Sequence, residues 1–151
     1  MTTDTAAPQD ILLVEDNPDD VELTRIAFAE AGIEGQLAVA TDGAQALDYL
    51  FARGKYADRD PANLPAIVLL DLNLPKLDGR EVLQAIRTNE ATRTLPVVVL
   101  TTSDEPFDIE AAYALDVNSY IRKPVDFDQF VAAVKQIGLY WLVLNQPRET
   151  A

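Results

Sequence analysis

Five short runs of aliphatic and β-branched residues recur along the chain, and a longer stretch with helical spacing of its apolar residues follows each one. Runs that are apolar throughout are typical of strands buried on both faces of a parallel sheet. The pattern predicts strands at Ile11–Val14, Gln36–Ala40, Ala66–Leu70, Val97–Leu100 and Ser119–Ile121. It predicts helices at Asp19–Ala31, Ala44–Arg53, Arg80–Thr88, Phe107–Leu115 and Asp126–Leu144.

Five βα units of this kind predict a doubly wound α/β fold with helices on both faces of the sheet. The strands could follow the flavodoxin-like order 2-1-3-4-5 or another doubly wound order. A chain of 151 residues can bury one ordinary core. We therefore expect one domain over residues 10–144, with flexible tails at 1–9 and 145–151. The polar stretch Gly54–Pro65 is expected to be a long surface loop.

Acidic residues follow the two strands that are neighbours in the flavodoxin-like order. Glu15 and Asp16 come after the first strand, and Asp71 comes after the third. Open α/β sheets bind ligands beyond the carboxyl ends of their strands, so these carboxylates should meet at one site. Their mutual repulsion requires a cation or a proton, and Mg²⁺ suits a set of oxygen ligands. The alternative for Glu15 and Asp16 is a simple turn before a helix that Asn17 caps.

Two further polar residues are expected at the same edge of the sheet. Thr101 follows the fourth strand and Lys123 follows the fifth. The hydroxyl could bond to phosphate oxygens, and the ammonium could pair with Asp71 or with a phosphoryl group. Each residue alone is more often an ordinary turn hydroxyl or a surface charge. The ordered combination of acids, hydroxyl and lysine is specific.

The amino-acid composition excludes some kinds of catalytic group and some kinds of ligand. The chain has no cysteine and no histidine, which excludes thiolate and imidazole groups. A formal net charge of −13 gives a field that repels nucleic-acid phosphate. Neither a signal-peptide layout nor an apolar run of membrane-spanning length is present, so we expect a cytoplasmic protein that binds neither nucleic acid nor membrane.

The chain resembles a two-component response-regulator receiver domain over about Asp10 to Leu144. The segments that carry the resemblance are Ile11–Asn17, Leu70–Pro75 with Asp78 and Gly79, Leu100–Ser103, and Tyr120–Pro124. The resemblance implies the order 2-1-3-4-5. It also implies a signalling protein, not an enzyme, that takes a phosphoryl group from a phosphohistidine of a sensor kinase. Asp71 would be the phosphoacceptor, with Mg²⁺ as cofactor.

The resemblance assigns the remaining site residues as well. Glu15 and Asp16 would hold Mg²⁺ together with Asp71 and the backbone carbonyl of Asn73. Thr101 would bind a phosphate oxygen and move on activation, and Lys123 would neutralise the phosphoryl charge.

The resemblance also implies a conformational change on phosphorylation. Tyr120 would turn inward when Thr101 is recruited. The conformational change is expected on the face formed by the fourth helix, the fifth strand and the fifth helix. Slow hydrolysis of the acyl phosphate would reset it.

The last predicted helix suggests how such a protein signals, since the chain shows no segment for an output domain. Residues at 3–4 spacing should face the sheet: Phe127, Phe130, Val131, Val134, Ile137 and Trp141. Leu139, Tyr140 and Val143 fall on the opposite side and predict a homodimer or partner patch, the alternative being scattered surface hydrophobes. The loop at Gly54–Pro65 and this helix resemble phytochrome-associated response regulators, which implies a light-sensing histidine kinase as partner.

Three other functions stay open at this point. The protein could be a phosphate sink, or a dimeric interaction module that works without phosphorylation. It could also be a Mg²⁺-dependent aspartyl phosphohydrolase, although the second aspartate such enzymes use is Asn73 here. A nucleotide binder is disfavoured because neither phosphate-binding glycine motif occurs.

Overall fold

The computed structural model describes residues 11–32, 37–72, 74, 78–101, 106–122, 126, 128–133 and 135–136. Within these, the strands are β1 (Ile11–Val14), β2 (Leu37–Ala40), β3 (Ile67–Leu70), β4 (Val97–Thr101) and β5 (Ser119–Arg122). The helices are α1 (Pro18–Glu30), α2 (Gly43–Phe51), α3 (Gly79–Thr88) and α4 (Pro106–Ala114). Residues 128–133 and 135–136 are also helical and are called the C-terminal helical segment below.

The five strands form one parallel sheet in the order β2-β1-β3-β4-β5. This confirms the predicted flavodoxin-like order. The register aligns the ends of three neighbouring strands. Val14, the last residue of β1, lies beside Ala40 of β2 on one side and Leu70 of β3 on the other. The carboxyl ends of β1, β2 and β3 are therefore level with one another.

Alternate residues of the strands point to opposite faces of the sheet, and each face has its own buried core. Leu12, Val14, Val68 and Leu70 pack with α2, α3 and Ala112 of α4. The other face contains Ile11, Leu13, Ile67 and Leu69, together with Ala27 and Phe28 of α1 and Phe130 of the C-terminal helical segment. Helices thus cover both faces, which is why the central strands are apolar throughout.

Side-chain caps determine where three helices begin. Asn17 caps α1 by accepting from the N–H groups of Asp19 and Asp20, which confirms its predicted role. Asp42 caps α2 through the N–H of Gln45. Asp78 and Glu81 form a reciprocal capping box at α3.

The predicted boundaries need small corrections. The helices predicted to start at Asp19, Ala44, Arg80 and Phe107 each begin one residue earlier, because the first turn includes the residue directly after the cap. The helix predicted through Arg53 ends at Phe51, where Ala52 adopts a left-handed conformation with φ 55°. The strand predicted from Ala66 begins at Ile67, and β4 and β5 each extend one residue further.

The loop predicted at Gly54–Pro65 contains a 3₁₀ turn over Gly54–Tyr56. The guanidinium of Arg59 lies 3.9 Å from the ring centroid of Tyr49 and donates to the carbonyls of Tyr49 and Asn63. These contacts fasten the loop to the end of α2. Among the helices that the structure describes, none combines the length and apolar character needed to cross a bilayer.

The core face of α3 provides a stability test. Ile86 is fully buried, with 0% of its surface exposed, whereas Gln84 on the same helix is exposed. Ile86→Ala should lower the free energy of unfolding by about 2–5 kcal/mol, because it removes buried methyl groups and leaves a cavity. Gln84→Ala should change it by less than about 0.5 kcal/mol. Urea denaturation of both variants measures this, and equal stabilities would contradict the assigned helix face.

Candidate functional site

Backbone hydrogen bonds place two acidic residues directly beyond the sheet. The N–H of Asp71 donates to the carbonyl of Val14 at 3.0 Å, and the N–H of Glu15 donates to the carbonyl of Ala40 at 2.9 Å. These bonds continue the parallel ladder one residue past the ends of β1 and β3. Glu15 and Asp71 therefore leave the sheet at the same level and at its topological switch point, where open α/β sheets bind ligands.

Three carboxylates meet at this point. One oxygen each from Glu15, Asp16 and Asp71 lies within 4.8 Å of the other two. Glu15 and Asp71 are buried, with 2% and 6% of their surface exposed, whereas Asp16 is exposed. One oxygen of Glu15 also accepts the N–H of Asn17 at 3.2 Å. The cluster is thus accessible from one side, through Asp16.

Electrostatics make this cluster unfavourable without a counter-charge. Two carboxylates about 4 Å apart repel by roughly 4 kcal/mol at an effective dielectric of 20, before screening by salt. The buried pair Glu15 and Asp71 is screened least. The donor set is made of hard oxygens, which are the ligands that Mg²⁺ and Mn²⁺ accept. The residues present therefore fit a small divalent cation.

Gly79 lets the backbone of α3 approach the site closely. Its N–H donates to the carbonyl of Leu72 at 3.1 Å. A Cβ at this position would lie 2.3 Å from the carbonyl oxygen of Asp71 and 2.5 Å from the Cα of Leu72. Because both contacts are with backbone atoms, only glycine fits here without moving Asp71 or the start of α3.

The other predicted site residues are placed as follows. Thr101 is the last residue of β4 and lies in register with Arg122 of β5, but its side chain lies outside the described residues. Tyr120 is half-buried in β5 and packs against the core that contains α2 and α3. Outside the described residues lie Asn73, Lys123 and the predicted interface residues Leu139, Tyr140 and Val143.

Sequence reasoning recognised Gly79 as part of a motif but missed its contact with Asp71. A glycine as the first residue of a helix was the available signal, since glycine is a poor helix former and usually has a steric reason to be present. The bond from Asn17 to Glu15 was also missed. Nothing in residue spacing indicates that a backbone N–H would turn back toward that carboxylate.

A doubly wound parallel sheet with acidic residues at its switch point defines the class: α/β proteins built to bind a charged ligand at the carboxyl edge. The family model for the response regulator receiver domain matches residues 11–135. The chain belongs to the response regulator receiver domain family.

Two curated relatives match almost the whole chain. The probable methanogenesis regulatory protein FilR2 of Methanothrix harundinacea is 45% identical over 136 residues, which cover 90% of this chain and 85% of FilR2. The response regulator Rcp1 of Synechocystis sp. is 39% identical over 142 residues, covering 94% of this chain and 95% of Rcp1.

Solved structures of response regulators are also similar to this chain over most of its length. The phosphorylated cyanobacterial phytochrome response regulator RcpA has a TM-score of 0.82 and 41% identity, covering 93% of this chain and 98% of RcpA. The Mn²⁺-bound form of Rcp1 has a TM-score of 0.80 and 38% identity, covering 95% and 100%. The bacteriophytochrome response regulator RtBRR has a TM-score of 0.77 and 48% identity, covering 94% and 85%.

The acidic cluster predicts opposite effects of one substitution with and without metal. In metal-free buffer, Asp16→Asn should raise the free energy of unfolding, because it removes one of three mutually repelling charges. With Mg²⁺ at about 100 times its dissociation constant, the native protein should gain about 2.7 kcal/mol, and the variant should gain less. Thermal denaturation with EDTA or MgCl₂ measures both effects. Asp58→Asn, an exposed loop residue with the same change in charge, is the control and should follow the native response.

The close approach of Gly79 predicts a loss of both stability and metal response. Gly79→Ala should cost about 3 kcal/mol, because its Cβ overlaps two backbone atoms. It should also reduce the stabilisation by Mg²⁺, since Asp71 must move. Gly32→Ala is the matched control: it has φ 73° but nothing within 4 Å, so it should cost about 1 kcal/mol and keep the metal response. A native Mg²⁺ response in Gly79→Ala would show that the contact does not position Asp71.

Proposed function

We propose that the protein receives a phosphoryl group on Asp71 from a phosphohistidine of a sensor histidine kinase, in a Mg²⁺-dependent reaction. The observation that carries the proposal is the convergence of Glu15, Asp16 and Asp71 within 4.8 Å at the carboxyl edge of a receiver-family sheet. A buried acid beside two others is unfavourable unless a cation compensates the negative charge.

The transfer itself needs one bond to form and one to break. A carboxylate oxygen of Asp71 attacks phosphorus while the bond from phosphorus to the imidazole nitrogen of the donor breaks, and that nitrogen keeps the electron pair. Glu15, Asp16, the same Asp71 and the carbonyl of Asn73 would hold Mg²⁺. When bound, that ion neutralises charge on the phosphoryl oxygens and aligns them for in-line transfer.

The fixed backbone is what this chain contributes to catalysis. The bond from Asp71 to Val14 and the contact with Gly79 hold the nucleophile in one position, so little reorganisation is required as the donor approaches. Slow hydrolysis of the resulting acyl phosphate by water would return the protein to its resting state.

Phosphorylation would add a charge of about −1.5 to −2 at this edge. In our proposal, Lys123 pairs with that charge and the hydroxyl of Thr101 donates to a phosphoryl oxygen. Tyr120, half-buried beside β4, then turns inward. The resulting change would be transmitted through α4, β5 and the C-terminal helical segment.

The proposed partners are a phytochrome-type histidine kinase in the cytoplasm and a second copy of this chain. RcpA and RtBRR, whose names associate them with phytochromes, support the kinase. The spacing of Leu139, Tyr140 and Val143 supports a homodimer through the last helix. Size exclusion of the native protein and Tyr140→Ser tests the homodimer, because loss of a shared apolar surface should shift the variant to the monomer volume.

Phosphorylation is tested by intact-protein mass after incubation with Mg²⁺ and acetyl phosphate, a small phosphoryl donor that needs no kinase. We expect one phosphoryl adduct on the native protein and on Asp58→Asn, and none on Asp71→Asn. Adding EDTA should abolish the adduct. An adduct that persists on Asp71→Asn would place the acceptor elsewhere.

The same samples separate the receiver from a phosphohydrolase. A receiver should hold a stoichiometric phosphoryl group and release phosphate only slowly. Continuous, multiple-turnover release of phosphate from small esters would identify an enzyme and overturn the proposal.

A further inference from the structure

Arg87, in the last turn of α3, joins the loop that directly follows its own helix to the turn after α4, whose contacted residues are 28 and 29 positions away. Its guanidinium donates to the carbonyls of Leu115 at 2.6 Å and Asp116 at 2.9 Å, directly after the end of α4. It also donates to the carbonyls of Leu95 at 2.7 Å and Arg93 at 3.1 Å, before β4 begins. Four hydrogen bonds from one charged, half-buried group make a strong local fastening.

The segment that Arg87 holds is otherwise strained. Asp116 has φ 60°, a left-handed conformation that residues with a side chain adopt at a cost. Burial lowers the pKa of Arg87 from its ordinary value, while the nearby carboxylate of Asp116 opposes that shift. Arg87 thus donates to the carbonyl of the strained residue and lies near its carboxylate, which stabilises the turn.

The end of α4 and the turn after it contain several anchored residues. Of residues 109–114, only Ala112 is fully buried, whereas Tyr113 is 50% exposed. Beyond the helix, Val117 is buried, and Asn118 bonds to Val97 of β4 through its backbone N–H at 2.7 Å and its side-chain oxygen at 2.9 Å. The hydrogen bonds of Arg87 therefore add to the contacts that hold the turn directly after α4.

We propose that Arg87 is a pivot that holds the C-terminal end of α4 stationary, so that phosphorylation moves only its N-terminal end. That end begins at Pro106, a few residues after Thr101 closes β4 at the phosphoacceptor edge. Because the C-terminal end of α4 is held, a local change beside Asp71 would rotate the helix about that end. This rotation leaves the turn between α4 and β5 in place, so the register of β5 in the sheet is preserved. The pivot specifies regulation of the site described under the proposed function and rests on it.

Residue-resolved amide hydrogen exchange of the full chain, before and after phosphorylation with acetyl phosphate and Mg²⁺, tests the pivot. In the native protein, phosphorylation should change the exchange rates of Ile109 and Glu110 at least about fivefold. Those of Leu115 to Asn118 should stay within about twofold. Changes of equal size at both ends would overturn the proposal.

Substitutions of Arg87 test directly whether its hydrogen bonds hold the end of α4. Arg87→Gln should raise exchange of Leu115 to Asn118 about tenfold even without phosphate, because local opening becomes easier. Phosphorylation should then change exchange along the whole helix. Arg87→Lys keeps the charge but cannot reach four carbonyls, so it should give an intermediate effect and serves if the glutamine variant does not fold. Arg93→Gln is the control, since its backbone carbonyl, not its side chain, contacts Arg87.

The mass measurement and the exchange measurement test phosphorylation of Asp71 and the Arg87 pivot independently. Absence of a phosphoryl adduct by mass would reject the proposed function. The comparison of unphosphorylated native protein with Arg87→Gln still decides the pivot: unchanged exchange at Leu115 to Asn118 would show that Arg87 does not hold α4.

Discussion

The hydrogen bonds that continue the parallel ladder one residue past β1 and β3 are the constraint on which the site depends. They fix the backbones of Glu15 and Asp71 side by side, although both side chains are buried and repel each other. A shift of the register by one residue would turn each side chain to the other face and exchange the contents of the two cores. The apolar cores on both faces specify the register, and the register brings the two acids together.

Helix α3 connects the acidic cluster with the end of α4. At the edge of the sheet that carries the acidic cluster, Gly79 allows α3 to approach the backbone of Asp71, and reciprocal capping fixes where that helix begins. In the last turn of the same helix, Arg87 reaches four carbonyls around the beginning of β4 and the end of α4. Helix α3 thus links the site to the end of α4.

The strand pattern and strand ends were predicted to within a residue because a buried parallel strand is apolar at every position and cannot be mistaken for an amphipathic helix of that length. Asn17 was recognised as a cap for the same local reason, since its side chain reaches only the next few N–H groups. Residue spacing alone left the strand order open, and the family resemblance supplied it. The roles of Asn73, Lys123 and the C-terminal interface stay predictions.

The amino-acid sequence by itself determined which residues form strands, which acids follow them and which chemistry is excluded, because these depend on local periodicity and composition. Only the tertiary structure decided that the carboxylates of Glu15, Asp16 and Asp71 lie within 4.8 Å, that a Cβ on Gly79 would overlap Asp71, and that Arg87 contacts carbonyls on two separate loops. Each of these arrangements brings together residues from different secondary-structure elements or loops. Such contacts depend on register and packing, and no short-range pattern records either one.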